Sequence, residues 1–239
     1  MVNVKCTGSA VPRKDKRMSV NTVISSESSI LYERIADTYE HLYYTDAKLV
    51  LEQPFLDKLL SLLPVHPRIL DLGCGTAVEA RYFIDHGANY TGIDASASMI
   101  AIARRHSPGG VFRVGDIRAL PFEQNSFDGV IALDSLIHFP KAEMPRILRG
   151  ISKVLSPDGA FLIAVQAGDG EQVMDFGLGL NHKTLVSLYS LHELSGLLYD
   201  LGLETCFSAS RDLMEGEFPF PQLYILSTRS SVSCWPPTW

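Results

Sequence analysis

The residues best suited to chemistry lie in one short glycine-rich segment, Asp71-Leu72-Gly73-Cys74-Gly75-Thr76-Ala77. The segment follows an apolar run that predicts a buried strand, and it precedes a stretch that predicts a helix. Glycines in such a turn let the backbone bend sharply and come close to a ligand. The amides at the start of the following helix then face whatever lies above the turn. This pattern is typical of a nucleotide or nucleoside site.

An acidic residue, Asp94, stands 19 residues after Gly75, at the end of the second predicted strand. An acid at that place can accept hydrogen bonds from both ribose hydroxyls of a nucleoside. A glycine turn alone is a weak signal, but the turn, its strand and the acid together are much more specific. A dinucleotide site wants a small residue three positions after Gly75, where this chain has the bulky Val78. The sequence lacks G-x-x-x-x-G-K-[ST], which excludes a P-loop.

Alternating apolar runs and helical patterns place these residues in a fold. The apolar runs predict strands over 68–72, 89–94, 111–114, 127–133, 160–166, 203–209 and 222–228. Helical periodicity predicts helices over 30–43, 47–63, 78–86, 96–105, 141–155 and 190–201. Strands that alternate with helices imply parallel pairing, whereas the last two strands have no helix between them and predict an antiparallel hairpin. The predicted fold class is α/β: a doubly wound, mostly parallel seven-stranded sheet with an antiparallel C-terminal edge hairpin.

The chain of 239 residues is long enough for one sizeable domain of this kind. Residues 1–26 are small, polar and basic, which predicts a flexible tail. The domain is predicted to span 27–229 and to be followed by a C-terminal tail over 230–239. Within the domain, residues 167–189 predict a long irregular segment of the kind that is often functional. Pro54 is predicted to split or kink the second helix.

Charge, hydropathy and cysteine spacing exclude several classes of partner. The formal net charge of −6 disfavours broad binding to nucleic acid, because phosphate contacts need clustered lysines and arginines. No apolar run approaches the roughly 20 residues that span a bilayer, so no membrane partner is predicted. The four cysteines are widely spaced and fit neither a zinc site nor a disulfide framework. The sequence therefore predicts a cytoplasmic protein with reduced thiols, no metal and a small-molecule substrate.

Several of these segments together resemble the class I S-adenosylmethionine-dependent methyltransferases, of the broad small-molecule type that includes ubiquinone-biosynthesis-like enzymes. Besides the glycine turn and Asp94, the resemblance lies in residues 115–122, 125–135 and 155–160, and it covers about residues 30–229. It implies S-adenosylmethionine as the cofactor and N-terminal helices that form a lid. One departure is Ala77, where many members have glycine.

The resemblance also implies which residues hold the methionine end of the cofactor. Gly73 and Gly75 would pass under this portion, and Asp71 would help to hold its amino group. Asp134, or the backbone of Leu133, would lie near the sulfonium. Asp71 could instead simply cap the turn.

For the nucleoside end, the resemblance assigns the ribose hydroxyls to Asp94. Asp116 would accept a hydrogen bond from the adenine amino group, with Ile117 offering its backbone amide. Ala95 and Met99 would pack on the adenine. An ordinary alternative stays open for Asp116, which could be a loop carboxylate.

Aromatic and histidine side chains near the predicted cleft are candidates for the chemical step. His138, just after the fourth strand, is the best candidate for a catalytic base, although it could instead only orient its loop. Tyr39 would reach from the first helix to the carboxylate of the cofactor, or else belong to the core. Further candidates for the acceptor pocket are Tyr32, Tyr43, Tyr44, the glycine-containing segment 168–182 and residues 218–221.

The sequence thus predicts an enzyme, an S-adenosylmethionine-dependent methyltransferase that acts on a small-molecule acceptor. The alternative is an enzyme of the same fold that binds this cofactor but catalyses a dehydration, cyclisation or pericyclic reaction, because fold does not fix function. The acceptor and the oligomeric state are not predicted.

Overall fold

The computed structural model describes residues 20–43, 46–175, 183–212 and 218–229. Most of the predicted basic tail, the predicted C-terminal tail, Tyr44, and the glycines at 177 and 179 lie outside these ranges. The strands are β1 Arg68–Leu72, β2 Asn89–Asp94, β3 Val111–Val114, β4 Phe127–Leu133, β5 Leu155–Gln166, β6 Glu171–Asp175, β7 Lys183–Ser187, β8 Leu203–Arg211 and β9 Gln222–Arg229. The helices are α1 Val20–Tyr43, α2 Asp46–Ser61, α3 Ala80–Asp85, α4 Ala97–His106, α5 Met144–Val154 and α6 Leu191–Tyr199.

Seven of the strands form one sheet in the order β3-β2-β1-β4-β5-β9-β8. The first five of these strands pair in parallel, and β9 pairs antiparallel with both β5 and β8. The sequence-based prediction of the sheet and its edge hairpin is therefore confirmed. Strand order reverses at β1, which lies between β2 and β4, and doubly wound sheets bind ligands at the carboxyl ends of the strands at such a point.

Apolar side chains cover both faces of the sheet. One face packs against α5 and α6, and the other packs against α2, α3 and α4. Strand β5 is buried on both sides, since Phe161 and Ile163 belong to the first layer while Leu162 and Ala164 belong to the second. A continuous apolar run such as this one is expected for a parallel strand between two helical layers.

The structure departs from the predicted elements in four places. Helix α1 begins at Val20 rather than at residue 30, and α2 is one helix that contains Pro54. Strand β5 begins at Leu155 rather than at residue 160. The segment Ser156-Pro157-Asp158-Gly159, which resembles a turn, belongs to the strand, and the register between β4 and β5 is irregular there.

The fourth departure is in residues 167–189, which the sequence predicted to be irregular. Here β6 and β7 form an antiparallel two-stranded sheet, with Glu171 paired to Ser187 and Asp175 paired to Lys183. The pattern was hard to detect because β6 is a short strand that keeps Val173 46% exposed. Only β7, which is buried at four of its five positions, carries an apolar signal.

Two negative findings apply to the described ranges. None of the helices found there combines the length and the apolar character needed to cross a membrane. The histidine, cysteine and acidic side chains of the same ranges form no group of three or more that could hold a metal ion.

Candidate functional site

The glycine turn leaves the carboxyl end of β1 with three residues in the left-handed backbone region. The φ angles are +74° at Gly73, +50° at Gly75 and +62° at Ala77. A Cβ at Gly73 would lie 2.4 Å from the Cβ of Ser135, so a side chain there would collide with the segment after β4. A Cβ at Gly75 would meet the ring of Tyr39 at 3.9 Å and no other described atom within 4 Å. Gly75 therefore borders a space that lies under Tyr39.

The carboxylate of Asp94 holds this turn from the neighbouring strand. Its Oδ2 accepts a hydrogen bond from the amide of Gly75 at 2.9 Å, and its Oδ1 accepts one from the amide of Ser96 at 2.8 Å. Burial raises the pKa of Asp94, while the amides of Ser96 and Gly75 act in the opposite direction. Each carboxylate oxygen has a second lone pair, so the side chain can still accept bonds from two ligand hydroxyls.

Two hydroxyl groups at the turn indicate that the site suits a polar ligand. The Oγ1 of Thr76 and the Oγ of Ser135 are buried, and neither has a hydrogen-bond partner among the described residues. Buried hydroxyls without partners are uncommon and call for an explanation such as a ligand. The open space at Gly75, these hydroxyls and Asp94 fit the methionine and ribose portions of S-adenosylmethionine.

Asp71, predicted to hold the amino group of the cofactor, is 3% exposed. It accepts a hydrogen bond from the hydroxyl of Tyr90, a buried residue of β2. The predicted role of Asp71 stays a prediction. Sequence reasoning did not identify Tyr90 as its partner, because nothing in the spacing of the two residues shows that their side chains meet across neighbouring strands.

Asp116 caps the short 3-10 helix Ile117–Ala119 and is bound by the guanidinium of Arg118. The amide of Arg118 donates to Oδ1 at 2.8 Å, and its Nη2 donates to Oδ2 at 2.7 Å. Burial would raise the pKa of Asp116, but the hydrogen bonds and charge of Arg118 hold it below its usual value. Asp116 is therefore an ionised acceptor, as a contact to an adenine amino group requires, and Arg118 is a neighbour that the sequence analysis missed.

The two residues predicted to pack on the adenine differ in exposure. Ala95 is exposed, and its contact with adenine remains a prediction. Met99 is 1% exposed and packs with Ala36, Ile102 and the tyrosines of α1. Met99 thus lies under the first helix, and its predicted contact with adenine remains a prediction.

Leu133 is the last residue of β4, and Asp134 follows it beside the glycine turn. Leu133 is buried in the layer that faces α2. Asp134 has a φ angle of +57°, and its Oδ1 accepts a hydrogen bond from Nε2 of Gln222 at 2.6 Å. The neighbouring Gln166 donates to the same oxygen at 3.5 Å. Neither glutamine was identified from the sequence.

His138 is a buried histidine with three hydrogen-bonding neighbours, one of which is the Oγ1 of Thr184, 3.2 Å from Nδ1. Its Nδ1 lies 3.0 Å from the carbonyl oxygen of Leu185, which can only accept, so Nδ1 carries the proton. Its Nε2 then accepts a hydrogen bond from the hydroxyl of Tyr32 at 2.9 Å. Burial lowers the pKa of His138 to about 4, although the bond to Leu185 opposes this shift. His138 is therefore neutral at pH 7.

Helix α1 lies across the cleft and takes the position that was predicted for a lid. On one side, Ser28 and Thr184 of β7 share a hydrogen bond between hydroxyls at 2.8 Å. Five residues further along the helix, Glu33 accepts bonds from the hydroxyl of Ser96 at 2.5 Å and the amide of Ser98 at 3.1 Å. Helix α2, by contrast, packs against one face of the sheet.

The remaining aromatic candidates are only partly described. The ring centroid of Tyr32 lies 5.7 Å from that of Tyr39 and 5.3 Å from that of His138. The ring of Phe218 lies 6.2 Å from His138, so the segment before β9 reaches the same space. These rings give the space beneath α1 a largely apolar, aromatic wall.

Comparison with known proteins shows which family the chain resembles. Residues 69–159, which contain the glycine turn, Asp94, Asp116 and the segment after β4, match the family described as a methyltransferase domain. The chain is 30% identical over 198 residues to the 27-O-demethylrifamycin SV methyltransferase of Amycolatopsis mediterranei, a match that covers 74% of this chain and 70% of that protein.

Two further relatives extend the comparison. The chain is 34% identical over 113 residues to a malonyl-[acyl-carrier protein] O-methyltransferase of Pectobacterium atrosepticum, with 46% of this chain and 44% of that protein covered. Less than half the length of that relative is thus matched. The fold of this chain is similar to that of the Burkholderia thailandensis 1,6-didemethyltoxoflavin-N1-methyltransferase, which was solved with S-adenosylhomocysteine. The TM-score is 0.64 at 21% identity, and the match covers 90% of this chain and 93% of that chain.

Proposed function

The chain belongs to the class I S-adenosylmethionine-dependent methyltransferases, and we propose that it methylates a small organic acceptor held beneath helix α1. One observation carries the proposal: Asp94 and the glycine turn it binds lie under a helix that closes over them. Beside the turn, the rings of Tyr32, Tyr39 and His138 lie against one another on the covered side of this helix. A covered site of that kind suits a small acceptor better than a polymer.

The names of the two relatives support transfer to oxygen, and that of the rifamycin relative supports a small acceptor. The rifamycin relative is named for a 27-O-demethylated compound, and the second relative is named an O-methyltransferase. Each of the three proteins compared is named a methyltransferase. A non-methylating reaction on the same cofactor is therefore not favoured.

When bound, S-adenosylmethionine supplies a methyl group that its sulfonium makes electrophilic. Asp94 would hold the ribose hydroxyls, and Gly75 would leave room for the methionine portion. The hydroxyls of Thr76 and Ser135, buried without described partners, would bond to polar atoms of this group. Helix α1 would exclude water and hold the acceptor in line, which is the main work that the protein does in such a displacement.

Tyr32 and His138 would handle the proton of an acceptor that must lose one. The Nε2 lone pair of His138 faces the Tyr32 hydroxyl and not open space. A proton from the acceptor would therefore pass to the Tyr32 oxygen while the Tyr32 proton passes to His138. His138 would thus act as the base, as predicted, but through Tyr32, which is the group that would touch the acceptor. The low pKa of His138 keeps its Nε2 lone pair unprotonated at neutral pH, as the role of an acceptor requires.

Calorimetric titration of the purified chain with S-adenosylmethionine, S-adenosylhomocysteine and NAD tests the proposal. We expect micromolar binding of the first two and none of NAD. Acceptors are then screened by mass spectrometry for a product that is one methyl group heavier and for matching release of S-adenosylhomocysteine. Binding of NAD alone, or consumption of an acceptor without gain of a methyl group, would contradict the proposed function.

A further inference from the structure

A buried polar cluster lies at the carboxyl ends of β4 and β5 and at the start of β9. It consists of Asp134, Gln166 and Gln222. Gln166 is 5% exposed and Gln222 is 3% exposed, and the two residues are paired across β5 and β9. Their neighbours in the same layer are apolar, among them Leu133 and Ala164. Polar side chains buried in such surroundings need hydrogen-bond partners.

Gln222 has partners on both sides of its amide. Its Nε2 donates to Asp134 at 2.6 Å. Its Oε1 accepts a hydrogen bond from the hydroxyl of Tyr224 at 2.9 Å and another from the guanidinium of Arg211. A carboxylate only accepts and a guanidinium only donates, so these partners fix which end of the amide is oxygen.

Gln166 has a partner on one side only. Its Nε2 faces the Oδ1 of Asp134 at 3.5 Å, and the reverse orientation would set two acceptor oxygens against each other. Its Oε1 is therefore directed away from Asp134. That oxygen is buried, and no described residue donates a hydrogen bond to it. A buried carbonyl of this kind is an acceptor that lacks a donor.

The cluster is next to the place where the methyl group would be delivered. Ser135, the residue after Asp134, is the one that a side chain at Gly73 would strike. The cluster contains the carboxylate of Asp134, and a second acid, Glu52, acts on the neighbouring Tyr224. Burial, and then the charges of Glu52 and Asp134, raise the pKa of Tyr224. The cation described in the cluster, Arg211, is bonded to Gln222.

We propose that the Oε1 of Gln166 accepts a hydrogen bond from a hydroxyl or amino group of the methyl acceptor, and that the site selects such donors over carboxylates. A carboxylate acceptor would bring lone pairs and negative charge against the Oε1 of Gln166 and the carboxylate of Asp134. The cation of the cluster, Arg211, is bonded to Gln222 instead. This inference rests on the proposed function and narrows its substrate class. It places the chain with enzymes that methylate hydroxyl or amino groups, apart from those that esterify free acids.

The test measures binding to the full chain saturated with S-adenosylhomocysteine, by calorimetry. The probes are two matched pairs: 2-naphthol with 2-naphthoate, and cyclohexanol with cyclohexanecarboxylate. We expect each alcohol to bind at least about tenfold more tightly than its acid, because the acid loses the bond to Gln166 and meets Asp134. This comparison uses the unaltered protein, so it does not depend on whether a variant folds.

A substitution then tests the residue itself. Gln166→Met keeps the volume and removes the acceptor oxygen, and we expect it to weaken alcohol binding about tenfold while leaving the affinity for S-adenosylhomocysteine unchanged. Gln124→Met is the matched control, since Gln124 is exposed in the turn before β4, at the opposite end of the sheet.

Three results would overturn the inference: an acid that binds better than its alcohol, no binding of either alcohol at millimolar concentration, or alcohol binding that Gln166→Met leaves unchanged. In each case binding of S-adenosylhomocysteine would persist, and the proposed function would stand. Loss of that binding in the unaltered protein would instead contradict the proposed function.

Discussion

The carboxylate of Asp94 reaches across from β2 to the amide of Gly75, 2.9 Å away, and its other oxygen binds the amide of Ser96. One side chain thus joins the turn after β1 to the turn after β2. These two bonds fix the shape of the glycine turn, and each oxygen keeps a lone pair that would accept a bond from a ribose hydroxyl of the cofactor.

Asp94→Ala should abolish most binding of S-adenosylmethionine while leaving the fold intact. The variant loses the ribose contacts and also releases the Gly75 turn, and hydrogen bonds to a charged group contribute about 1.5–3 kcal/mol each, so we expect affinity to fall about a hundredfold or more. Calorimetry gives the dissociation constants and circular dichroism checks the fold. Asp85→Ala, an exposed position on α3, is the control. Unchanged affinity would mean that Asp94 does not bind the ribose.

His138 should make the protein sensitive to acid. Its folded pKa of about 4 lies below the unfolded value of 6.5, so the unfolded chain binds more protons between these two values. The free energy of unfolding should therefore fall as the pH drops from about 6.5 towards 4, by about 3 kcal/mol in all. Urea unfolding at several pH values measures this. His138→Gln should remove that part of the slope, and His192→Gln, exposed on α6, should not.

Tyr32→Phe should slow methyl transfer by about a hundredfold with an acceptor that must lose a proton. The hydroxyl that would touch the acceptor is gone, whereas the ring and its contacts with Tyr39 and His138 remain. Affinity for S-adenosylhomocysteine should hardly change. The measurement is the pH profile of kcat with an identified acceptor, together with calorimetry. Equal kcat values for the variant and the unaltered enzyme at every pH would show that Tyr32 carries no proton.

Glu33→Gln should loosen the lid where it meets α4. The amide oxygen can still accept the two bonds made to one carboxylate oxygen, but the amide nitrogen cannot accept the bond that the Ser98 hydroxyl makes to the other. The variant also loses the charge that favours the amino end of α4, and the pKa of Glu33 is held down by its bonds to Ser96 and Ser98. Backbone amides of residues 30–41 should then exchange hydrogen faster, as measured by mass spectrometry. Asp37→Asn, exposed on the same helix, should leave the exchange rates unchanged.

Ala77→Gly should be far less harmful than an ordinary alanine-to-glycine change. Ala77 is fully buried with φ at +62°, where a side chain costs about 1–2 kcal/mol that glycine does not incur. Ala103 is equally buried but lies inside α4, where glycine is itself disfavoured by about 1 kcal/mol. Thermal unfolding should show that Ala103→Gly lowers the free energy of unfolding by at least about 1 kcal/mol more than Ala77→Gly. Equal losses would contradict the strain at Ala77.

Much of the sheet could be predicted because its parallel strands are continuous apolar runs with sharp ends. The four strands from β1 to β4 match their predicted bounds. Two predicted helices, over 96–105 and 190–201, begin at serines, and the side chains of Ser96 and Ser190 accept the amide bonds expected of helix caps. Such signals are local: the residues that define each of them are neighbours in the chain, so a short window of sequence contains all the information.

What could not be predicted depends on partners that are distant in the chain. Tyr32 and His138 are 106 residues apart, and Asp134 and Gln222 are 88 apart. Each member of these pairs has an unremarkable setting in the sequence, and only the folded sheet brings them together. That the Oε1 of Gln166 has no donor among the described residues could not be predicted for the same reason. The orientation of its amide is set by Asp134, 32 residues away in the chain, and not by its own strand.

The attachment of α1 also has a consequence for how the chain assembles. This helix is made before the sheet it covers, yet its bond from Ser28 is to Thr184, 156 residues later, and its bond from Tyr32 is to His138. On a ribosome, the contacts of α1 with α4 can form early, whereas those with β7 must wait until residues 183–187 have emerged. The cover over the cleft is therefore completed only in one of the last steps of folding.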